Sequence, residues 1–238
     1  MIPKKIHYCW LGGNPLPPLA KKCIASWKKY CPDYEIILWN EENYDFQKHP
    51  FMAKAYQEKK WAFVTDYARL DIVYTYGGIY LDTDVELLRS PEALLYHSLF
   101  MGFENPKYVA TGLGFGATEK HPLVKQLRDD YDNITFSPDN IIPCPIIQTR
   151  TLQSLGLQDD TGKVQFLDNR VAIYPAEYFC PRNGCFNRYK LTPNTYSIHH
   201  FAASWMPKSE KLRTGLSKLL GYDNFNALKR FIKKRFFS

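Results

Sequence analysis

Apolar residues recur along residues 61–86 in two rhythms, and the change between them marks the stretch that organises the chain. Val64, Ala68, Ile72, Val73 and Tyr76 follow helical spacing. Gly77 and Gly78 supply the left-handed stop that ends such a helix. Ile79-Tyr80-Leu81 is too short for a helix and rich in strand formers, so it reads as a buried strand. That strand delivers Asp82, Thr83 and Asp84 to its C-terminal end, the side on which open α/β sheets bind ligands.

The flanking pattern repeats the strand–helix theme. Lys5 to Leu11 reads as a first strand stopped by Gly12-Gly13-Asn14-Pro15. Pro17 to Tyr30 reads as an amphipathic helix with Ile24, Trp27 and Tyr30 inward, and Tyr34 to Trp39 as a second strand. Strand, helix, strand opens a βαβ unit with a parallel sheet. Residues 40–60 are more polar and helical in their second half. Downstream, Val85–Leu88 stays extended, Pro91–Tyr96 is a short helix, and Ser98–Phe103 and Val171–Phe179 are strands. His121–Tyr131 is a helix with Pro122 in its first turn. The glycines of Ala110–Ala117 fit either a plain turn or a close backbone approach to a ligand.

Two carboxylates separated by one residue repel each other, and a divalent cation removes that cost. In an extended segment alternate side chains point the same way, so Asp82 and Asp84 can face one ion. Hard oxygen ligands suit Mg²⁺ or Mn²⁺. The competing reading is a solvated acidic turn. Asp66 and Arg69 lie three apart on the preceding helix, hence on one face. They form either a weak surface ion pair or a working pair, with Arg69 toward a phosphate or sugar and Asp66 accepting from hydroxyls.

The run from Asp66 to Val85, with D-Y-A-R-L and then Y-G-G-I-Y-L-D-T-D-V, resembles the DxD sugar-binding region of family-32 glycosyltransferases. It is also similar to the glucosyltransferase domains of large clostridial toxins. The resemblance implies a GT-A-type, Rossmann-like nucleotide-sugar-binding α/β domain with a mixed central sheet. It also implies retention of anomeric configuration and a Mn²⁺ or Mg²⁺ cofactor. IPKKIHYCWLGG resembles the first strand of these families, placing Trp10 by the base with Leu11 and Gly12 beside it, although Trp10 reads equally well as core. YSIHHFAASW, residues 196–205, resembles their C-terminal motif. That match makes His200, followed by Phe201, the third metal ligand beside Asp82 and Asp84, with His199 as the alternative. Asp66, Arg69, Asp82 and Asp84 are then the catalytic set. The donor is expected against Trp10, Leu11, Asp66, Arg69 and Tyr76. Gly78, Asp82, Thr83, Ser204 and Trp205 complete the expected donor site. Pro143–Thr149 is expected to border the acceptor pocket.

Composition narrows the picture. With 238 residues, 45% hydrophobic and 23% charged, the chain suits one large soluble domain. The net charge of +7 is confined to the end: residues 207–238 hold nine Lys/Arg against two acids, while the rest balances at 22 of each. That leaves no broad basic groove and argues against nucleic acid as a partner. The expected division is a glycosyltransferase domain over 1–206 and a basic helical tail over 207–238. Within the tail, Phe225, Leu228, Phe231, Ile232 and Phe236 keep helical spacing opposite Lys229, Arg230, Lys233 and Lys234, the signature of a peripheral membrane-surface helix over residues 224–237. The opening MIPKKIHYCW has no apolar signal-peptide core and no run approaches the roughly 18 apolar residues of a span. A cytoplasmic protein at the inner face of the membrane, with its six cysteines reduced, is therefore expected. Cys180 and Cys185 can pair only in an oxidising setting.

The function so expected is transfer of a sugar, from a UDP-sugar, to a saccharide or lipid-linked oligosaccharide acceptor in bacterial capsule or surface-polysaccharide synthesis. A haloacid-dehalogenase-type phosphatase also sets a DxD after a strand. It requires Thr or Val two residues beyond the second Asp, where this chain has Glu86. A catalytically idle sugar-binding or membrane-surface module is the remaining competitor.

Overall fold

The computed structural model describes residues 1–138, 141–183 and 188–202. Contacts divide the chain into two units, residues 1–182 with 190–201, and residues 183–189 with 202–238. The first unit carries the architecture described here. The expected boundary at residue 206 and the basic tail lie outside the described residues, as do Ser204, Trp205 and Cys185.

The expected βαβ opening is present. Strand β1 (Lys5–Cys9) leads into helix α1 (Pro18–Tyr30) and then β2 (Glu35–Trp39), which pairs parallel to β1 with Ile6 opposite Ile36. Helix α2 (Pro50–Gln57) precedes α3 (Trp61–Tyr76), and α3 feeds β3 (Gly78–Tyr80), parallel to β1 on its other side. Then follow β4 (Val85–Leu87), β5 (Leu99–Asn105), β6 (Tyr108–Val109) and β7 (Phe115–Ala117). Helices α4 (Pro122–Asp129) and α5 (Cys144–Ser154) precede β8 (Gln165–Asp168), β9 (Val171–Tyr174) and α6 (Ala176–Phe179). After the two-residue segments β10 (Arg182–Asn183) and β11 (Arg188–Tyr189), β12 (Ser197–His199) closes the series.

The central sheet runs β2-β1-β3-β7-β5-β9-β8, with β6 on β5. It is mixed: β7 is antiparallel to β3 and β5, and β9 is parallel to β5. Strand alternation divides its side chains between two cores. Cys9, Tyr80, Leu99, Met101, Phe103 and Ile173 face α2, α3, α4 and α5. Ile6, Tyr8, Ile79, Leu81, Phe100 and Tyr174 face α1, α6 and the separate β4–β12 pair. Helix α3 is buried on most sides, as its nearly continuous apolar sequence requires.

Several expectations change in detail. Val171–Phe179 is a strand only to Tyr174; Pro175 ends it and Ala176–Phe179 coils into a short helix. The glycine-rich stretch folds as a strand end, a 3₁₀ turn over Thr111–Leu113, and β7. Residues 144–154 form α5 with Pro145 in its first turn.

Candidate active site

Strands β1, β3 and β5 point the same way, so the ends of all three open on one edge of the sheet. The chain leaves β3 there and presents Asp82, Thr83 and Asp84 before β4 begins. Asp84, Asp82 and His199 offer ligand atoms that all lie within 4.8 Å of one another, the one such cluster among the described residues. His199 Nε2 sits 3.1 Å from Asp84 Oδ1, and His199 Nδ1 is buried with no hydrogen-bond partner. Two carboxylates and an imidazole at this spacing fit a hard divalent cation such as Mn²⁺ or Mg²⁺.

Of the two histidines expected, the alternative is the one beside the aspartates. The structure brings His199, not His200, to the aspartates. In the antiparallel β4–β12 pair His199 stands opposite Val85, whose side chain is fully buried, so the His199 ring turns inward. His200 is one residue past the strand. Its backbone N–H donates to the Asp84 carbonyl at 2.9 Å, while its ring meets Glu86 Oε2 at 2.8 Å. Glu86 also binds Lys22, so it is occupied rather than merely solvated.

Behind this cluster lies a second, buried arm. Arg69 is only 3% exposed, and its Nη2 lies 3.1 Å from Asp66 Oδ1 and 3.3 Å from Asp82 Oδ1. The pair is therefore no surface ion pair. Arg69 Nε donates to the Thr65 carbonyl, Nη2 to Thr65 Oγ1, and Nη1 reaches Thr111 Oγ1 at 3.4 Å. Burial alone would lower the guanidinium, but Asp82 and Asp66 hold it well above its usual value. Burial pushes the Asp66 carboxyl up to about 6, opposed by Arg69. It raises Asp82 as well, again opposed by Arg69.

The turn at Thr111–Leu113 walls this arm. A Cβ on Gly112 would stand 2.6 Å from Asp82 Oδ2 and 3.1 Å from Arg69 Nη1. The glycine there permits close approach of backbone to the site's own residues. Gln148, fully buried on α5, pins the turn: its Oε1 accepts from Thr111 N–H at 3.1 Å and its Nε2 donates to Thr111 Oγ1 at 2.8 Å. Cys144, at the start of α5, accepts from Arg69 Nη1 at 4.0 Å. Cys144 and Gln148 lie in the segment expected to border the acceptor pocket, and Thr111 in the glycine-rich run, but the sequence reading gave none of the three a place against Arg69. Only the glycine run hinted at this wall.

The remaining expected donor residues divide by position. Trp10 is half-buried just past β1 on the site's edge, with Nε1 donating to the Asn14 carbonyl. Leu11 is buried in the core and does not face the edge. Thr83 is half-buried between the aspartates. Tyr76 and Gly78 lie at the opposite end of β3. There Tyr76 stacks on Trp39 at 5.1 Å between ring centroids, and a Cβ on Gly78 would meet His7 Nε2 at 2.9 Å. A strand's two ends point to opposite edges of the sheet, which is why these two are not brought to Asp82.

Residues 17–101 match the family described as the glycosyltransferase sugar-binding region containing the DXD motif. Inositol phosphoceramide mannosyltransferase 3 of Schizosaccharomyces pombe is 29% identical over 144 residues, 57% of this chain and 39% of that protein. Mannosyl phosphorylinositol ceramide synthase SUR1 of Saccharomyces cerevisiae is 29% identical over 145 residues, 58% of this chain and 37% of that protein. The match thus spans under two-fifths of the length of these relatives. Among solved structures, the PaToxG glycosyltransferase superposes with a TM-score of 0.52 at 18% identity, covering 64% of this chain and 68% of that one. The fold is that of GT-A glycosyltransferases.

Proposed function

We propose that this chain, which carries the DXD sugar-binding region of a glycosyltransferase family across residues 17–101, moves a hexosyl or N-acetylhexosaminyl group from a nucleotide-sugar donor to a saccharide or lipid-linked acceptor. The observation that carries this reading is the cluster of Asp82, Asp84 and His199 beside the buried Arg69–Asp66 pair. A divalent cation held by the three would neutralise charge on the leaving diphosphate as a Lewis acid. Asp66 would accept hydrogen bonds from hydroxyls of the donor sugar, fixing its orientation. Arg69 would hold Asp66 and Asp82 in register and add a positive field toward the developing charge. Trp10 lies on the same edge, where a base would stack.

A UDP-sugar is the first donor to test. The names of the two yeast relatives favour a second reading, a mannosyl donor and an inositol phospholipid acceptor. We further infer a peripheral contact of residues 224–237 with an anionic membrane at the cytoplasmic face, and a role in surface-glycan assembly. The sequence of the basic tail supports both.

The test is release of free nucleotide from UDP-glucose, UDP-galactose, their N-acetyl forms and GDP-mannose, with Mn²⁺ and again with EDTA. Metal-dependent release from one donor supports the reading and names the sugar. Absence of both release and Mn²⁺-dependent UDP or GDP binding would sink it in favour of the idle module. Liposome pelleting of the full chain and a chain ending at Met206 tests the tail; equal pelleting removes the membrane contact.

A further inference from the structure

Glu104 is a carboxylate that the reaction outlined above leaves without a task. It sits near the end of β5, on the sheet edge that presents Asp82 and Asp84. Phe103 pairs with Val109 and Asn105 with Tyr108, so Glu104 is the extra residue of a β-bulge in the β5–β6 pair. Bulges bend a strand and re-aim a side chain, and they concentrate beside active sites. Glu104 is half-buried and makes no hydrogen bond or ion pair among the described residues. Burial holds its carboxyl above the usual range against the pull of His199 and Arg182. A desolvated carboxylate without a partner is costly to keep.

His199 shows the complementary deficit. Its ring turns inward from β12, toward the sheet face on which Phe100 and Gly102 of β5 meet Phe179. Its Nε2 is engaged by Asp84, and its Nδ1 is buried and unpartnered. A histidine that ligates a metal through one nitrogen nearly always donates its other N–H to a carboxylate, carbonyl or water, which fixes tautomer and ring orientation. Glu104 follows Gly102 along β5, within electrostatic reach of His199 but not in hydrogen-bond contact with it.

We propose that Glu104 is a positioning residue for the metal site: it accepts the Nδ1–H of His199 and so presents Nε2 to the cation shared with Asp82 and Asp84. This rests on the metal reading of the cluster. Glu104 itself stays outside the ligand set, consistent with its absence from the group of atoms within 4.8 Å.

The experiment is Mn²⁺ titration of the full chain followed by electron paramagnetic resonance, alone and with UDP present. Wild type, Asp84→Asn, Glu104→Ala and Glu104→Gln are compared, each also by thermal unfolding without metal. Asp84→Asn should abolish binding. Glu104→Ala should weaken it roughly 10- to 100-fold, the range for such outer partners. Glu104→Gln should weaken it less, because its amide oxygen still accepts a hydrogen bond. The unfolding midpoints without metal should not fall, whereas a merely structural role would lower them and leave the affinity unchanged. Wild-type Mn²⁺ affinity in both Glu104 variants overturns the proposal while the metal reading stands. Should the alanine variant fail to fold, the near-isosteric glutamine variant decides. Absence of Mn²⁺ binding by the wild type overturns the metal reading itself, and this proposal with it.

Discussion

The two arms of the site are built on opposite principles. The arm on α3 and β3 is closed: Arg69 is buried, all three of its side-chain nitrogens are engaged, and two carboxylates flank it. The arm on the β4–β12 pair is open: Asp84 meets one nitrogen of His199 and the other is left buried and alone. The first arm balances its charge with its own guanidinium. The second sets Asp84 and an imidazole beside Asp82, with ligand atoms close enough to share one cation. A site built this way separates a fixed frame, which orients a polar substrate, from a receptive part suited to a cation.

The comparison can be broken at several points. The largest expected effect is Arg69→Ala, which strands two buried carboxylates. Removal of one partner from a buried ionic cluster typically costs about 3–5 kcal/mol, read as a lowered urea midpoint. A loss under 1 kcal/mol would show the arm is not closed. Asp84→Asn should leave stability nearly unchanged and cut metal-dependent donor turnover by at least about a hundredfold, since metal stabilisation is worth several kcal/mol. Turnover that survives the change means the open arm does not hold the ion.

The histidines sharpen the same contrast. His199→Ala should weaken Mn²⁺ affinity and turnover by about tenfold or more, and His200→Ala should leave affinity almost untouched, because its contact with Glu86 is a partly exposed pair worth at most about 1 kcal/mol. The reverse order would restore His200 as the ligand. Gly112→Ala drives a Cβ toward Asp82 Oδ2. Overpacking of this kind costs about 1–3 kcal/mol; the expected readout is a smaller loss of turnover than for Asp84→Asn, with metal binding retained.

The smallest effect is a pH limb. Asp66 takes a proton as the pH falls through about 6, so donor turnover should decline below that pH, and Asp66→Asn should flatten the limb at a lower plateau. For stability the sign is opposite. Between the ordinary 3.8 and about 6 the folded protein holds a proton that the unfolded chain releases. This carboxyl therefore costs stability as the pH rises through that window. An acid limb unchanged in Asp66→Asn assigns it to another group.

The organising stretch was legible because its chemistry is local. Helical spacing over Val64–Tyr76, the Gly77-Gly78 stop and a short apolar strand are all readable within some twenty residues, and each appears in the fold; Asp82 and Asp84, expected to share a face by strand alternation, are instead brought together by a turn in which Val85 N–H donates to the Asp82 carbonyl. Asp66 and Arg69 share a helical face for the same reason. The parallel opening of the sheet followed from strand–helix–strand order alone.

Other features depended on contacts distant in sequence. Which of two adjacent histidines meets Asp84 was decided by the register of β12 against β4, across 115 residues. A shift of one position exchanges the two faces of a strand. Tyr76 and Gly78 sit beside the motif in sequence, yet the direction of β3 carries them to the far edge of the sheet. Gln148 and Cys144 show no motif at all; only the packing of α5 against the Thr111 turn and α3 sets them behind Arg69 and Asp66. The sequence by itself determined the neighbouring carboxylates, the helix behind them and the order of the first elements, because those depend on short-range spacing along the backbone. Only the tertiary structure decided which histidine meets the carboxylates, the wall and the burial of Arg69, because each is a meeting of segments whose distance in the chain carries no periodic signal.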